Sequence, residues 1–462
     1  MPFKYLNKLI FLKSDPIKKV IRMFNELAQY TERSGFAIIV NSKKVCVGVL
    51  TDGDIRRKFL EGLLITDPVE KFLDKKFSYA FENESTHSIL RSFDKKIRIL
   101  PILNVKKEPV DLIFFSDFKA GHRFRDKIIR SRVPVRISYS GGGTDMSYFM
   151  DHKSGLVLSS TISKYCYASI LIRSDKEINI HSKDLSCSYS AKNINEIKYG
   201  DKLDLIKAAV KIMEPHFGFD LETSSDIEIG TGLGGSSAMS VAVIGLLNEF
   251  NNEKKLDLYD IADLAYQAER IYLNISGGWQ DQYSTAFGGF NWIEFRNDDV
   301  LVNPLRIKKE IILELQFNMM LVRFGSSHES GKLEENKKAE FKLEDSNKMK
   351  KYDLMLNIAI QMKEELLKGN LKSFGDLLNE SWIIKKKFSN TSNKYIDKLY
   401  SIALKNGALG GKVLGSGQSG YLLLYVSPKY QIKIKKEFKK IGLSTEKINY
   451  SSNGLEIWKT KR

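Results

Sequence analysis

Cysteine is nearly missing from this chain: three residues in 462, Cys46, Cys166 and Cys187, with no Cys-x-x-Cys pair among them. That scarcity excludes a disulfide framework and a thiol-clustered metal site, and it favours a reducing, cytoplasmic setting. Long apolar runs are missing too. The longest, such as 239–247, fall far short of a membrane span, and the opening MPFKYLNKLIFLKSD has no apolar stretch ending in a small-residue cleavage site. Nor are the basic residues interleaved with stacking aromatics. The clusters Lys385-Lys386-Lys387 and KYQIKIKKEFKK (429–440) read as solvated faces, so the net charge of +17 points to a lysine-rich background and to phosphorylated metabolites, not to nucleic acid. What is present is a globular composition, 42% hydrophobic, in a chain long enough for two or three folded units.

In the first 120 residues Ile17, Val20, Ile21, Phe24 and Leu27 follow a helical period, FAIIVN reads as a strand, and VCVGVLTDGDIRRKFLEG reads as strand, tight turn and helix. The segment GVLTDGDIRR resembles the cystathionine-β-synthase-type (CBS) module, whose Thr and Asp hold the ribose of an adenine nucleotide. The resemblance assigns that role to Thr51 and Asp54, with Arg56 and Arg57 as phosphate candidates. A second repeat runs from FENESTHSILRSF to VDLIFFSDFKA and ends at Asp117, with Phe114 where the hydroxyl would stand. The charged stretch 121–130 reads as a linker.

Beyond it, Val133, Val135, Ile137 and Tyr139 alternate as a strand that turns on Gly141, Gly142 and Gly143 into Thr144 and Asp145. A carboxylate just after a glycine turn can hold a polyol; a helix N-cap role is equally open. GLVLSSTIS, YCYASILIR and EINIHS read as further strands, and 201–213 as a helix.

The stretch Ile229-Gly230-Thr231-Gly232-Leu233-Gly234-Gly235-Ser236-Ser237-Ala238 breaks a strand into glycines and restarts as an apolar helix, which is the design of a phosphate cradle. Gly230, Gly232 and Gly235 match G-x-G-x-x-G, but two helices follow where a dinucleotide fold needs a second parallel strand. No lysine precedes the serines, so the Walker A pattern fails as well. In the second helix Ile261, Leu264, Ala265, Ala268 and Ile271 form the expected buried stripe, with Glu269 at its edge as a candidate magnesium ligand. Asp281, in SGGWQDQYSTAFGGFNWIEF, is a candidate base for a hydroxyl. A last glycine-rich loop, KNGALGGKVLGSGQSGYLLLYVS, carries Gly415, Gly417 and Gly420 and leads into a strand.

In this order the three loops resemble the three motifs of the GHMP small-molecule kinases over nearly all of residues 130–462. The forms GGGTD and GGWQDQ most resemble the heptose 7-phosphate kinases among them. The resemblance implies an α/β (α+β) fold: a CBS-type pair (1–120) and linker (121–130), then a ribosomal-protein-S5-like lobe (131–310) and a ferredoxin-like lobe (311–462). It implies ATP on Gly230 to Ser237, magnesium on Ser237 and Glu269, Asp281 as base and Arg136 beside it. For the sugar phosphate it implies Arg132, Gly142, Gly143, Thr144, Asp145, Gly278, Gln282, Gly415, Gly417 and a clamp at Lys385, with Lys386 a further candidate. The reaction implied is phosphorylation of the anomeric hydroxyl of D-glycero-D-manno-heptose 7-phosphate. An adenine nucleotide at the CBS module and a homodimer through it are further expectations. Glu228 and Ile229 stand where prolines commonly precede the loop, and Gln418 and Ser419 where the third motif has glycines. Two alternatives stay open: a kinase for fucose or an unphosphorylated heptose, and a nucleotide-binding regulator with a decayed kinase lobe.

Overall fold

The computed structural model describes the chain except residues 1–5, 29–34, 75, 85, 94–96, 115–126, 151, 174, 229, 252–254, 298, 326–345, 388–390, 416–419 and 462. Ile229, Gly417, Gln418, Ser419 and Asp117 therefore lie outside the described residues. The chain divides into two units, Met1–Arg125 and Asp126–Arg462.

In the first unit β1 (Ile10–Leu12) leads to α1 (Ile17–Ala28), which buries Ile17, Val20, Phe24 and Leu27 on one face, as their spacing requires. β2 (Phe36–Val40) runs parallel to β1 and antiparallel to β3 (Cys46–Thr51), and α2 (Asp52–Leu60) follows at once. The second half uses the same pairing. After β4 (Ala80–Phe81) and α3 (Thr86–Arg91), β5 (Ile99–Leu103) lies parallel to β4 and antiparallel to β6 (Pro109–Phe114). Phe114 is apolar because it is core, packed with Leu103 and Leu112.

The second unit starts with β7 (Lys127–Ser140), whose Val133, Val135, Ile137 and Tyr139 all point inward and are fully buried. After α4 (Ser147–Met150) comes β8 (Gly155–Ile172), a single strand where the sequence suggested two. The break expected near Ser163 is absorbed as a register shift opposite Pro134, which cannot donate to the ladder. β9 (Ile178–Ser182), β10 (Cys187–Ala191), α5 (Asp204–Met213) and β11 (Phe219–Ser225) follow. Then come α6 (Gly235–Asn248), α7 (Leu258–Gln267), a π-helical turn (Ala268–Tyr272), α8 (Gln280–Phe287), β12 (Phe290–Phe295) and β13 (Val300–Pro304). The sheet order is β10-β9-β11-β8-β12-β13, with β7 also on β8. α6 is apolar all round and buried from Ser237 to Asn248, packed between this sheet and α5, α7 and α8.

The second lobe comprises α9 (Lys309–Asn318), β14 (Met319–Phe324), α10 (Ser346–Lys368), α11 (Leu371–Lys386), α12 (Lys394–Lys405), β15 (Ala408–Val413), β16 (Gly420–Val426), α13 (Pro428–Lys440) and β17 (Thr445–Lys447). Its sheet, β15-β16-β14-β17, is wholly antiparallel. β18 (Tyr450–Ser451) and β19 (Glu456–Lys461) then return to the first sheet, on β8 and β7. Two boundaries read from sequence therefore move. Residues 127–130 are strand, since β19 holds them opposite 458–461, and the chain's end does not belong to the second lobe.

Candidate active site

The phosphate-loop stretch enters α6 through Gly234, a left-handed N-cap that provides no side-chain cap. The first-turn N–H groups at Gly235, Ser236 and Ser237 are thus left for a ligand, at the positive end of the helix dipole. Leu233 anchors the loop in the core, and Thr231 ties it internally by donating its hydroxyl to the Glu228 carbonyl at 3.0 Å. Glu228, one of the two residues that stand where the family resemblance expects proline, forms an ion pair with Arg323 on β14.

Arg136, buried on β7, reaches under this loop. Its Nε and Nη2 donate to the two oxygens of Asp281 at 2.8 and 2.6 Å, and its Nη1 to the Gly232 carbonyl at 2.5 Å. One planar guanidinium therefore fixes both the carboxylate and the phosphate loop, which a lysine could not do. Asp281 itself sits in the first turn of α8, with its carboxylate about one fifth exposed.

Ser237 and Glu269 form the second expected pair. The Glu269 carboxylate accepts from Gln282 Nε2 at 3.1 Å and pairs with Arg270 at 3.2 Å, with the Ser237 hydroxyl close by. Burial pushes the Glu269 carboxyl above its usual range, opposed by Arg270, Ser237 and Gln282. The sequence placed Glu269 at the edge of the core, but it is almost fully buried. Helix α7 turns π-helical at Ala268, and the extra residue in the turn rotates Glu269 inward and Ile271, expected in the buried stripe, out to solvent. One buried carboxylate beside one hydroxyl is a donor set that suits magnesium, which binds through one or two carboxylates and the phosphates of its nucleotide.

The glycine turn supplies the other wall. Asp145, buried, accepts from the Gly143 N–H at 2.7 Å and from Gln280 N–H and Nε2, both at 3.1 Å. Burial raises its carboxyl pKa against those hydrogen bonds. Gly278 is needed because a β-carbon there would stand 1.9 Å from Asp145 Oδ2. Next to Gly142 lie Ser138 Oγ and Gln280 Oε1, both buried and without a partner among the described residues. Two orphaned polar atoms beside a turn are suited to receive hydroxyl groups.

Other expected contact residues have partners within the protein. Arg132 lies about 13 Å up β7 from Arg136 at the usual rise; its guanidinium pairs with Glu456 and covers the Tyr165 ring. Thr144 is fully buried, donating to the Gly141 carbonyl and accepting from Leu156 N–H, which leaves its side chain no route to a substrate and excludes a cap role. Gln282 points away from Asp281 and supports Glu269, one residue being 100° on a helix. Lys386 is paired with Asp397. In the first unit, Thr51 and Asp54 form a capping box for α2, with Arg57 on Asp54. Sequence reasoning passed over Gln280 and the buried Lys412, whose Nζ donates to the Tyr139 carbonyl at 3.2 Å. A lysine in a glycine-rich strand carries no signal of its depth.

Comparison with known proteins fits this geometry. The description "GHMP kinases N terminal domain" matches residues 204–289, and "GHMP kinases C terminal" matches 362–440. The chain is 36% identical over 342 residues to a D-glycero-alpha-D-manno-heptose 7-phosphate kinase of Campylobacter jejuni, covering 72% of this chain and 99% of that protein. It is 24% identical over 348 residues to a galactokinase of Clostridium tetani, covering 66% and 85%. The crystal structure of a D-glycero-D-manno-heptose 1-phosphate kinase from Bacteriodes thetaiotaomicron superimposes with a TM-score of 0.60 at 29% identity, over 72% of this chain and all of that one.

Proposed function

The chain belongs to the GHMP kinase family and is a phosphotransferase acting on a sugar hydroxyl, and from that premise we propose that it phosphorylates the anomeric hydroxyl of D-glycero-D-manno-heptose 7-phosphate, giving the 1,7-bisphosphate. The observation that carries the reading is the Arg136 fork, which joins the candidate base Asp281 to the ATP loop at Gly232. Asp281 takes the proton of the anomeric hydroxyl, whose oxygen bonds to the γ-phosphorus as the β–γ bridging P–O bond breaks and ADP leaves. Phosphoryl transfer depends mainly on positioning and charge neutralisation. The first-turn amides of α6 hold the phosphates, Arg136 orients the base, and Asp145, Gln280 and Ser138 line the sugar side. Ser237 and Glu269 would hold magnesium, which supplies neutralisation of phosphate charge.

Comparing ATP turnover with heptose 7-phosphate, unphosphorylated heptose and fucose tests the substrate. Heptose 7-phosphate is expected to have a kcat/KM higher by about 10²-fold, near the upper worth of a hydrogen bond to a charged group. Equal rates would select the alternative sugars and leave no role for a clamp at Lys385.

For the first unit the proposal is a CBS-type pair that senses an adenine nucleotide, with pairing of two chains through it. The twice-used β-α-β-β pairing supports this reading. Calorimetric titration of AMP into the full chain is expected to show a site that Thr51→Ala or Asp54→Ala weakens about tenfold, one lost hydrogen bond's worth. Affinity indifferent to both changes would leave the two residues only their capping role.

A further inference from the structure

Between the π-helical turn and α8 the chain passes through residues 273–279 with no helix or strand to hold it. This loop joins the two sides of the cleft. Glu269 stands just before it, and at its far end the Trp279 N–H donates to the Asp145 carbonyl and the Gln280 N–H to Asp145 Oδ2, both at 3.1 Å. The loop folds back on its own origin, where the Ile275 N–H donates to the Glu269 carbonyl at 3.0 Å.

Across that fold lies Arg270, whose side chain is only 11% exposed. Its Nη1 pairs with Glu269 Oε2 at 3.2 Å and faces the carbonyls of Ile275 and Ser276 at 3.4 and 3.5 Å, while Nη2 faces the Gly278 carbonyl at 3.4 Å. Those carbonyl contacts are at the long limit of hydrogen bonding, but a full charge in a largely dry place attracts carbonyl oxygens at that range. Gly277 shows how closely the guanidinium lies on the backbone. A β-carbon there would stand 2.4 Å from Nη2 and 2.5 Å from Cζ. Gly277 is outside the left-handed region, so it is space, not backbone conformation, that calls for a glycine. One side chain thus touches both the candidate magnesium ligand and the backbone that seats the sugar-side carboxylate.

We propose that Arg270 is a positioning residue that couples the two sides of the cleft: it orients Glu269 for magnesium and holds the 275–278 loop for the sugar, so that a disturbance of the loop is felt at the metal. A carboxylate that ligates a metal depends on the partners of its other oxygen, and losing such a partner costs about 10–100-fold in metal affinity. The proposal rests on reading Glu269 as a magnesium ligand and applies to whichever sugar the enzyme prefers.

Gly277→Ala tests it from the sugar side. The neighbour in the way is the end of a flexible side chain, so the variant is expected to fold with the guanidinium pushed off Glu269. Calorimetric titration of the ATP analogue AMP-PNP into the full chain, over a series of magnesium concentrations, is expected to show a magnesium requirement raised about tenfold. Affinity without magnesium should stay within about twofold, since the α6 amides are untouched. Arg270→Gln should raise the magnesium requirement as much, and should also raise about tenfold the KM for the sugar preferred in the turnover comparison. The double variant should lie within about twofold of Arg270→Gln, because the new β-carbon then has no guanidinium to displace. If Arg270→Gln does not fold, Arg270→Lys, which keeps the charge without the fork, takes its place in the cycle. An unchanged magnesium requirement in Gly277→Ala overturns the proposal. Additive effects in the double variant also overturn it, by assigning the effect to the loop backbone. So does an unchanged sugar KM in the Arg270 variant, which confines Arg270 to the metal side, and so does a lowered thermal midpoint as its sole effect. Glu269→Gln with a wild-type magnesium requirement removes the ligand reading and the proposal with it, whereas a raised requirement there beside an unaffected Gly277→Ala removes the proposal alone.

Discussion

Asp281→Asn is expected to bind ATP as the wild type does and to turn over about 10³-fold more slowly, within the range lost with a positioned base. Asparagine has the same shape and keeps one oxygen for the Arg136 fork, so the guanidinium can stay on the Gly232 carbonyl and the phosphate loop retains its seat. What is lost is the second oxygen and the capacity to take a proton. Steady-state kinetics alongside ATP calorimetry and a thermal melt separate the outcomes. A variant within about tenfold of wild-type kcat would mean that Asp281 only orients the substrate, since positioned proton transfer contributes at least 10²-fold. A variant that also loses ATP affinity would mean that the fork holds the loop through Asp281 and not through Arg136 alone.

The expectation could be formed from sequence because the residues that carry it lie in loops whose glycines are local and countable. GTGLGGSS, GGGTD and GGWQDQ could each be read as a turn next to a chemistry-bearing side chain, and the structure brings Ser237 to Glu269 and Arg136 to Asp281. The errors came where side-chain direction depends on something non-local. A strand alternation does not say that Arg132 faces Glu456, because β19 arrives from the far end of the chain. Two glutamines flank Asp281 alike in sequence, and helix phase alone sends Gln280 to Asp145 and Gln282 to Glu269. A regular 3.6-residue period predicted Ile271 buried, and the π-helical turn after Gln267 defeats any reading that assumes one period throughout. Lys412 was missed for the complementary reason: its depth is decided by α11 and β7, neither of them near it in sequence.

Gly232→Ala is expected to lower kcat/KM by about 10²-fold or more, the cost of misplacing reacting groups by roughly an ångström. The phosphate loop and the third-motif loop meet backbone to backbone. A β-carbon on Gly232 would stand 2.3 Å from the Leu414 carbonyl oxygen and 2.7 Å from Gly415 Cα, and one on Gly415 would stand 2.4 Å from Gly232 Cα. Gly420 repeats the contact, with a β-carbon 2.3 Å from the Thr231 carbonyl oxygen. None of these neighbours is a side chain that can swing away, so the loops must separate. Because the Gly232 carbonyl is held by Arg136, the displacement reaches Asp281 as well. Gly232 also has φ +76°, so alanine carries left-handed strain of about 1–2 kcal/mol wherever the collision leaves it. Gly442, at φ +77° with nothing within 4 Å of its β-carbon position, is the matched control. Gly442→Ala bears the same strain without the collision. The difference between the two variants in kcat/KM and in thermal midpoint therefore isolates the loop contact. If Gly232→Ala falls no further than Gly442→Ala in either measure, the two loops do not need to touch for catalysis.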